Sequence, residues 1–393
     1  MAFAGLRGTG DWGVDERPKN FREMILWRNP NGQAPLTALM SKMKTEKTDD
    51  PEFSWWEEQL DVVKVIVDGA QTSGDTALEL VSGGLKLVIG DLLLVSKTEV
   101  AAYDNELVEV TAVASDTAIT IARGAAGSSA AAMTDLDTLT KIGNVFAEGT
   151  VSPTVTNENP VKLKNFAQIF KTAYELTGTV QVTRARTGDP LKNDKKRKMF
   201  QHSVALEMAY LFGKNFETTG ANGKPKRYLG GLREFITTNA KIYTTGVDED
   251  GFLDDTFKVF DFDSGTAGNE RLVFAGNGYL NNLNKLAKNA SSSRINFDSV
   301  VRVYGMELQR WILPQGTFFV RSHPLMNTHP IYTDSAFFID PSAIVYRPLR
   351  DTKPEDNIQA NDADTRKGQW MTEAGIEVRH EGTMAYHGNF IIL

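Results

Sequence analysis

Short apolar runs separated by turn residues characterise residues 67–150 of the chain. They span residues 85–89, 92–95, 107–113, 118–122 and 136–142. Within them Val108, Val110 and Ala112 alternate with polar neighbours, and so do Ile119 and Ile121. A period of two residues is typical of half-buried antiparallel strands. The pattern predicts a hairpin-rich extension, or a small β-barrel, that stands away from the main body.

The clearest helical pattern follows Asp189. This residue is a good N-cap, and Pro190 suits the first helical position. No Gly or Pro interrupts the chain from residue 191 until Gly213. Apolar residues recur at helical spacing as one stripe, at Phe200, Val204, Met208, Leu211 and Phe212. We predict a helix over residues 191–216, which at ~1.5 Å per residue is roughly 35–40 Å long.

The C-terminal half mixes strand and helix patterns. Strands are predicted over residues 271–275, 300–313, 317–321 and 343–349, and a closing pair over residues 370–380 and 383–393. Residues 279–289 have a helical pattern, and residues 351–368 form a polar, acidic loop. Because strands and helices do not alternate as βαβ units, a parallel α/β sheet is excluded and the predicted fold class is α+β.

The first 60 residues hold four of the six tryptophans, Trp12, Trp27, Trp55 and Trp56. Prolines interrupt this stretch, and it has almost no strand alternation. Tryptophan is enriched where one protein surface meets another. The segment therefore predicts an arm laid over a neighbouring subunit. The alternative is that the four rings complete the core of their own subunit.

Composition narrows the classes of function. The net charge is −7 and cysteine is absent, which argues against a dedicated DNA-binding surface and excludes disulfide scaffolds and thiolate chemistry. Residues 67–150 carry four basic and twelve acidic side chains, a net charge of −8. No apolar run approaches the ~18 residues that a membrane helix needs. We therefore expect a soluble protein without a membrane partner.

A basic run over residues 184–198 holds seven Lys or Arg side chains against Asp189 and Asp194. Lys195, Lys196 and Lys198 are candidates for a weak, sequence-independent contact with nucleic acid phosphate or with an acidic neighbouring subunit. The acidic extension on an adjacent copy could be that neighbour. A solvated helix face explains the run equally well.

Motifs for chemistry are weak. The GxGxxG match at Gly8–Gly13 follows only seven residues with no strand pattern, so it does not predict a dinucleotide site. His323 and His329, like His380 and His387, are spaced so that the two rings do not share one helix face. The sequence predicts no catalytic, cofactor-binding or metal site, and hence no enzyme and no cofactor.

The order of parts and several segments resemble one family. The segments are ERPKNFR from Glu16, ILW from Ile25, PNGQAPLTAL from Pro30, TDDPEFSWW from Thr48 and TEAGIE from Thr372. Together with an arm, a β extension, one long helix and an α+β body, they resemble the major capsid protein of tailed bacteriophages, which has the HK97-like fold.

The resemblance implies a division of the chain. Residues 1–66 would be the N-terminal arm and residues 67–150 an enlarged extended loop (E-loop). Residues 151–236 and 343–393 would form the peripheral (P) domain, with the spine helix at residues 191–216, and residues 237–342 mainly the axial (A) domain. Candidates for contacts between subunits are Trp12, Arg17, Arg22, Trp27, Trp55, Trp56, Lys195, Lys196 and Lys198.

The same resemblance implies a function. Copies would form hexamers and pentamers of an icosahedral shell around double-stranded DNA, located in the virion and assembled in the host cytoplasm. The expected partners are a separate scaffolding protein, a portal, a possible decoration protein, and packaged DNA through weak contacts. The alternative is a protein cage of encapsulin type that encloses protein cargo.

Overall fold

The computed structural model describes residues 36–37, 44–58, 63–96, 105–157, 159–185, 187–262, 269–289, 297–303 and 306–392. The chain divides into two compact units. One is Trp56–Lys162, and the other combines Met1–Trp55 with Leu163–Leu393. Helices and separate mixed and antiparallel sheets occur together, which confirms the predicted α+β class.

The regular elements of the described residues follow in chain order. The strands are β1 (Glu52–Glu57), β2 (Lys64–Ile66), β3 (Ala77–Glu79), β4 (Asp91–Val95), β5 (Leu107–Val113), β6 (Ala118–Ala125), β7 (Thr138–Asn144), β8 (Val161–Phe166), β9 (Gln168–Thr177), β10 (Phe216–Thr219), β11 (Pro225–Tyr228), β12 (Ala240–Ile242), β13 (Glu270–Ala275), β14 (Phe297–Val303), β15 (Met306–Ile312), β16 (Thr317–Ser322), β17 (Ala336–Ile339), β18 (Ile344–Asp356), β19 (Thr365–Val378) and β20 (Ala385–Gly388). The α-helices are α1 (Gly178–Val182), α2 (Pro190–Phe212), α3 (Leu232–Phe235), α4 (Glu249–Thr256) and α5 (Asn277–Asn289).

The smaller unit is a closed β-barrel. Its strands pair in the order β2-β7-β4-β5-β6-β3, all antiparallel. The two outermost strands of this order also meet, because Val67 and Leu80 form an antiparallel bridge and the Val81 N–H donates to the Ile66 carbonyl at 2.9 Å. The apolar runs had predicted either a hairpin-rich extension or a small barrel, and the chain adopts the barrel.

Most of the strands predicted within residues 67–150 are strands of this barrel, with two corrections. The run at residues 85–89 is no strand. It begins as a 3₁₀ turn, Gly84–Lys86, in which Leu85 is exposed. Val108 and Val110 point into the barrel as predicted, but Ala112 is exposed because the register between β5 and β6 shifts after Val110. A bulge moves the following side chains to the other face of a sheet.

Helix α2 begins where the sequence predicted and ends earlier. The Asp189 carboxylate accepts the Leu191 N–H at 2.9 Å, which caps the first turn. The predicted end at residue 216 is wrong, because the helix stops at Phe212 and Gly213 adopts an extended conformation. A Cβ on Gly213 would collide with the Leu229 carbonyl, so this close approach of two backbone segments requires glycine.

The predicted apolar stripe of α2 is only partly right, because Leu211 is buried and Phe212 packs against the core, whereas Phe200, Val204 and Met208 are half-buried. The buried side chains of the helix are His202, Leu206, Glu207, Tyr210 and Leu211. Two polar groups lie on the buried face because partners across the core satisfy them. His202, for example, lies 3.1 Å from the Thr172 hydroxyl and 2.7 Å from the Thr372 hydroxyl.

The larger unit contains a seven-stranded mixed sheet, ordered β12-β20-β17-β13-β16-β15-β14. Strand β13 lies at its centre, parallel to β16 and antiparallel to β17. Its side chains alternate between two apolar clusters, with Leu272 and Phe274 in one and Val273 and Ala275 in the other. Helix α5 covers the second cluster through Tyr279 and other apolar side chains. The sheet is therefore buried on both faces.

A second sheet, ordered β18-β19-β9, packs against α2. Strand β18 continues to Asp356, so much of the loop predicted at residues 351–368 is strand. The predicted closing pair is also wrong, because β19 pairs with β18 and β9 whereas β20 pairs with β12 and β17. Residues 385–388 thus lie in the seven-stranded sheet rather than with the strands of the predicted peripheral part.

Candidate assembly surfaces

The residues nominated for contacts between subunits fall into two groups. Trp12, Arg17, Arg22 and Trp27 lie outside the described residues, and so does the glycine motif at residues 8–13. Their contacts stay predictions. Trp55, Trp56 and the three lysines of α2 are described, and their surroundings differ from one residue to the next.

The part of the arm next to the barrel pairs with its own subunit. Residues 44–48 run along the free edge of β18, where Thr45 and Tyr346 form a parallel bridge. The Glu46 N–H donates to the Tyr346 carbonyl at 3.0 Å, and the Thr48 N–H donates to the Pro348 carbonyl at 3.2 Å. The expectation that the arm lies over a neighbour is therefore not met at residues 44–48, because β18 offers an open strand edge within the same chain.

Ion pairs of Glu46 add to this backbone pairing. Its carboxylate lies 3.0 Å from Arg347 and 3.4 Å from Arg379. Both guanidinium groups also bind the buried carboxylate of Glu377, each at 2.5 Å. A hydrogen bond from Lys44 lowers the pKa of Glu46 most, and the two arginines lower this pKa further, against the opposing effect of desolvation. Residues 44–48 are thus held by backbone pairing and by charge.

Further upstream, Glu207 of α2 holds the arm residues Leu36 and Thr37. The Leu36 N–H donates to Oε1 of Glu207 at 2.7 Å, and the Thr37 N–H donates to Oε2 at 2.6 Å. The Thr37 hydroxyl also donates to Oε2. His323 Nε2 lies 2.8 Å from Oε1, and the side chains of Glu207 and His323 are both fully buried.

Sequence reasoning missed Glu207. The available signal was a single acidic residue in the otherwise uncharged run VALEMAYLF of α2. A buried carboxylate needs hydrogen-bond donors, and sequence alone does not identify which distant segment supplies them.

Trp55 and Trp56 lie on opposite sides of β1. The Trp55 ring is 7% exposed and packs 6.4 Å from the Phe53 ring and 5.8 Å from the Phe235 ring, measured between centroids. It completes the core of its own subunit, which was the alternative reading of the arm. Trp56 is 64% exposed and remains available for a contact with another molecule.

The three lysines of α2 also differ. Lys195 Nζ lies 2.9 Å from the Asp356 carboxylate and 5.8 Å from the centre of the Trp370 ring. A hydrogen bond from Tyr174 and the one from Lys195 lower the pKa of Asp356. Through its contacts with Asp356 and Trp370, Lys195 links α2 to strands β18 and β19. Lys198 donates to Gln201 at 3.1 Å on the same helix, and Lys196 is exposed.

A basic hairpin next to α2 was not predicted. Strands β10 and β11 form a separate two-stranded sheet in which almost every residue is exposed. Lys224 and Lys226 extend from it, and Lys226 Nζ lies 5.1 Å from the centre of the Tyr228 ring. The one acidic side chain in these strands, Glu217, pairs with Arg227 at 3.3 Å. The hairpin is a second positively charged surface, which follows the C-terminal end of α2, whereas the predicted basic run lies at the N-terminal end.

The barrel carries apolar side chains on its outside. Those more than two-fifths exposed include Val81, Leu85, Ile89, Leu136, Ile142, Val145 and Phe146. The chain segments that carry three of them meet at Gly90, where the Val145 N–H donates to the Gly90 carbonyl at 2.8 Å and the Phe146 ring packs against Gly90, the neighbour of Ile89 in sequence. Contiguous exposed apolar side chains mark surfaces that another molecule covers.

Two of the histidines whose spacing was weighed for metal binding have structural partners. His323 binds Glu207, and His387 lies 3.0 Å from the Tyr279 hydroxyl in a fully buried cluster. Across the described ranges no group of three or more His, Cys, Asp or Glu side chains is placed to hold a metal ion. Within the same ranges no helix is long and apolar enough to cross a membrane.

Comparison with known proteins identifies relatives over nearly the whole chain. The family model described as SU10 major capsid protein matches residues 6–388. A curated relative, the major capsid protein of Pseudomonas phage PaMx41, is 25% identical over 363 residues, covering 90% of this chain and 84% of the relative.

Solved structures with a similar fold have low sequence identity. The capsid of a native GTA particle matches with a TM-score of 0.46 and 7% identity, covering 95% of each chain. A structure from Mycobacterium phage Ogopogo matches with a TM-score of 0.45 and 11% identity, covering 98% of this chain and 99% of the other. An encapsulin complex from Synechococcus elongatus has a TM-score of 0.42 and 8% identity, covering 60% of this chain and 77% of the other. At these scores the family assignment rests on the family model.

Proposed function

The chain belongs to the family of SU10 major capsid proteins, and we propose that its copies assemble into the icosahedral head of a tailed phage around double-stranded DNA. The family match over residues 6–388 is the observation that carries this proposal. Hexamers and pentamers of the chain would form the shell. Closed shells need many modest heterologous contacts around each subunit.

We assign the parts of an HK97-like subunit to this structure as follows. Helix α2 is the spine helix, and with the sheet of β18, β19 and β9 it forms the peripheral domain. The seven-stranded sheet is mainly the axial domain. The barrel is the enlarged E-loop, with its apolar patch at Ile89, Val145 and Phe146 as a contact surface. The arm residues upstream of Leu36, with Trp12, Arg17, Arg22 and Trp27, reach neighbouring subunits.

The remaining parts of the proposal concern partners and place. The role is structural rather than enzymatic, and no cofactor takes part. A separate scaffolding protein, a portal and a possible decoration protein would join the chain in the virion, after assembly in the host cytoplasm. Lys196 and Lys198 would make weak contacts with packaged DNA or with an acidic neighbour, whereas Lys195 is engaged by Asp356.

The enclosed cargo distinguishes a phage capsid from the alternative, a protein cage of encapsulin type. Particles purified from a phage-infected culture should contain this chain as their main protein and double-stranded DNA that nuclease does not reach. Particles with one enclosed protein and no nuclease-protected DNA would instead indicate a cage of encapsulin type.

A charge reversal tests the basic helix. In the variant Lys196→Glu/Lys198→Glu, we expect a lower yield of shells or less retained DNA, because the reversed charges repel phosphate or an acidic neighbour. Shell yield is measured by gradient sedimentation and DNA content by absorbance. Unchanged values for both would leave the two lysines as part of a solvated helix face.

A further inference from the structure

We propose that the buried carboxylate of Glu207 is the anchoring site of the N-terminal arm, which fixes the point where the preceding residues leave the subunit. The ligand of this site is a turn of the same chain, Leu36–Thr37. That the arm then reaches neighbouring copies rests on the proposed function. The anchor itself does not depend on it.

Among the described residues of the arm, two consecutive ones supply the donors to this site. The N–H groups of Leu36 and Thr37 bind one carboxylate oxygen each, at 2.7 and 2.6 Å, and the Thr37 hydroxyl adds a third bond. Hydrogen bonds to an ionised acceptor are roughly twice as strong as bonds between neutral groups. Because both carboxylate oxygens are used, the turn is fixed in orientation as well as in position.

An apolar contact accompanies the polar one. The Leu36 side chain is fully buried and belongs to the core cluster that contains Leu206 and Tyr210 of α2. Its burial removes apolar surface from water, which favours the docked turn. The site therefore recognises an apolar side chain and two free N–H groups together, and neither feature alone would specify this turn.

Glu207 depends on the arm for its hydrogen bonds. Its side chain is fully buried, and among the described residues the remaining partner of the carboxylate is His323. A carboxylate buried without donors is strongly destabilising. Release of the turn would leave Oε2 without its donors, so the body of the subunit itself favours the docked arm.

His323 connects the anchor to the seven-stranded sheet. It directly follows β16, and its N–H donates to the Ala275 carbonyl of β13 at 2.8 Å. Its ring stands edge-on to the Phe274 ring, 5.5 Å away. Glu207 thus joins α2, the sheet and the arm at one point.

The chain offers a matched control. Glu46 is another acidic residue that holds the arm. It lies nine residues after Thr37 and binds Arg347 and Arg379 instead of α2. The change Glu46→Gln removes a comparable charge from an arm contact and leaves Glu207 with all its donors.

The test is hydrogen exchange of the full-length chain, followed by mass spectrometry. In Glu207→Gln the amide nitrogen of the new side chain is a donor and cannot accept the Thr37 N–H. We expect exchange at Leu36 and Thr37 to be at least 10-fold faster than in the unchanged chain. Glu46→Gln should leave exchange at these two residues unaltered and speed it at residues 44–48.

A second variant covers the case in which Glu207→Gln does not fold. Thr37→Val removes only the hydroxyl donor of a partly exposed residue, and it should also speed exchange at Leu36 and Thr37. Unchanged exchange at these residues in Thr37→Val, and in Glu207→Gln where that variant folds, would overturn the anchor.

The shell yield of the same variants tests separately whether the anchor directs the preceding residues towards neighbouring subunits. Faster exchange together with a reduced shell yield supports the proposal. Faster exchange with an unaltered shell yield would overturn the role of the anchor in directing the arm. If the unchanged chain formed no shells under any condition, the proposed function would fail while the exchange result still decided the anchor.

Discussion

Trp55 and Trp56 are neighbours in sequence with opposite environments. The sequence pattern does not separate them, because the arm shows almost no alternation overall. Over the short strand β1, however, Phe53 and Trp55 are buried while Ser54 and Trp56 are exposed. A four-residue alternation is too short to stand out within sixty residues that are otherwise irregular.

Alanine substitutions should separate the two rings. We expect Trp55→Ala to lower the free energy of unfolding by about 3–5 kcal/mol, as large-to-small changes in a core do. Trp56→Ala should change it by less than about 0.5 kcal/mol and reduce shell yield instead. Urea denaturation and sedimentation measure the two effects. Equal losses of stability in both variants would contradict the assignment.

The buried His387 should make stability depend on pH. Burial lowers its pKa to about 4, whereas an exposed histidine titrates near ~6.5. The unfolded chain therefore binds more protons between these values, and stability falls as the pH drops from about 6.5 towards 4. The loss attributable to this residue is about 3 kcal/mol at the acidic end.

Substitution isolates this contribution. His387→Gln should flatten the curve of unfolding free energy against pH over that window. The exposed His380 has a left-handed backbone with a φ of 48°, which asparagine tolerates, so His380→Asn serves as the control and should keep the slope. An equal slope in the His387 variant would show that burial of this imidazole is not the cause.

Local signals predicted single residues well, and long-range partners could not be predicted. Asp189 and Pro190 marked the start of α2 because capping involves neighbours in sequence. Glu207 is held by Leu36 and Thr37, which are 171 and 170 positions away in the sequence, and by His323. Sequence patterns therefore suggested an apolar face for α2 that the distant partners of His202 and Glu207 replace.

Among the larger elements, the barrel is the part that sequence predicted best. Strands β4 to β7 follow the apolar runs because each run is short and bounded by turns. The sequence did not decide between a hairpin-rich extension and a barrel. The contact between β2 and β3 closes the barrel, and neither strand lies in one of the predicted apolar runs. Several C-terminal strands were located, but the closing pair predicted over residues 370–380 and 383–393 was wrong, because pairing depends on partners that are distant in sequence.

The barrel should fold without the rest of the chain. It has its own apolar core and a buried ion pair, Glu106 with Arg123 at 2.6 Å. We expect a fragment of residues 63–146 to unfold cooperatively on heating and to give dispersed amide signals in NMR spectra. The variant Arg123→Met, which leaves Glu106 buried without its cation, should cost about 3–5 kcal/mol. A fragment without cooperative unfolding would contradict a self-contained barrel.

At the scale of the whole molecule, part of the predicted arm belongs to the body of the subunit. Residues 44–48 and the Leu36–Thr37 turn belong to the body of the subunit, since they pair with β18 and fill its core. The predicted arm over residues 1–66 is therefore divided. Bridging to neighbours is proposed for the residues before Leu36 and for the exposed Trp56.

Two truncations test this division. Deleting residues 2–34 should leave the free energy of unfolding nearly unchanged but abolish closed shells. Deleting residues 2–50 should also destabilise the body, because it removes Leu36 and Glu46. Denaturation and sedimentation of both truncated chains give the comparison. Intact shells from the shorter deletion would contradict bridging by the arm.

The most direct test of the central claim is electron microscopy of the purified full-length chain, expressed alone and together with a candidate scaffolding protein. A structural shell protein predicts closed icosahedral particles, or hexameric capsomers, in at least one of these preparations. A single population of monomers in both would contradict the account.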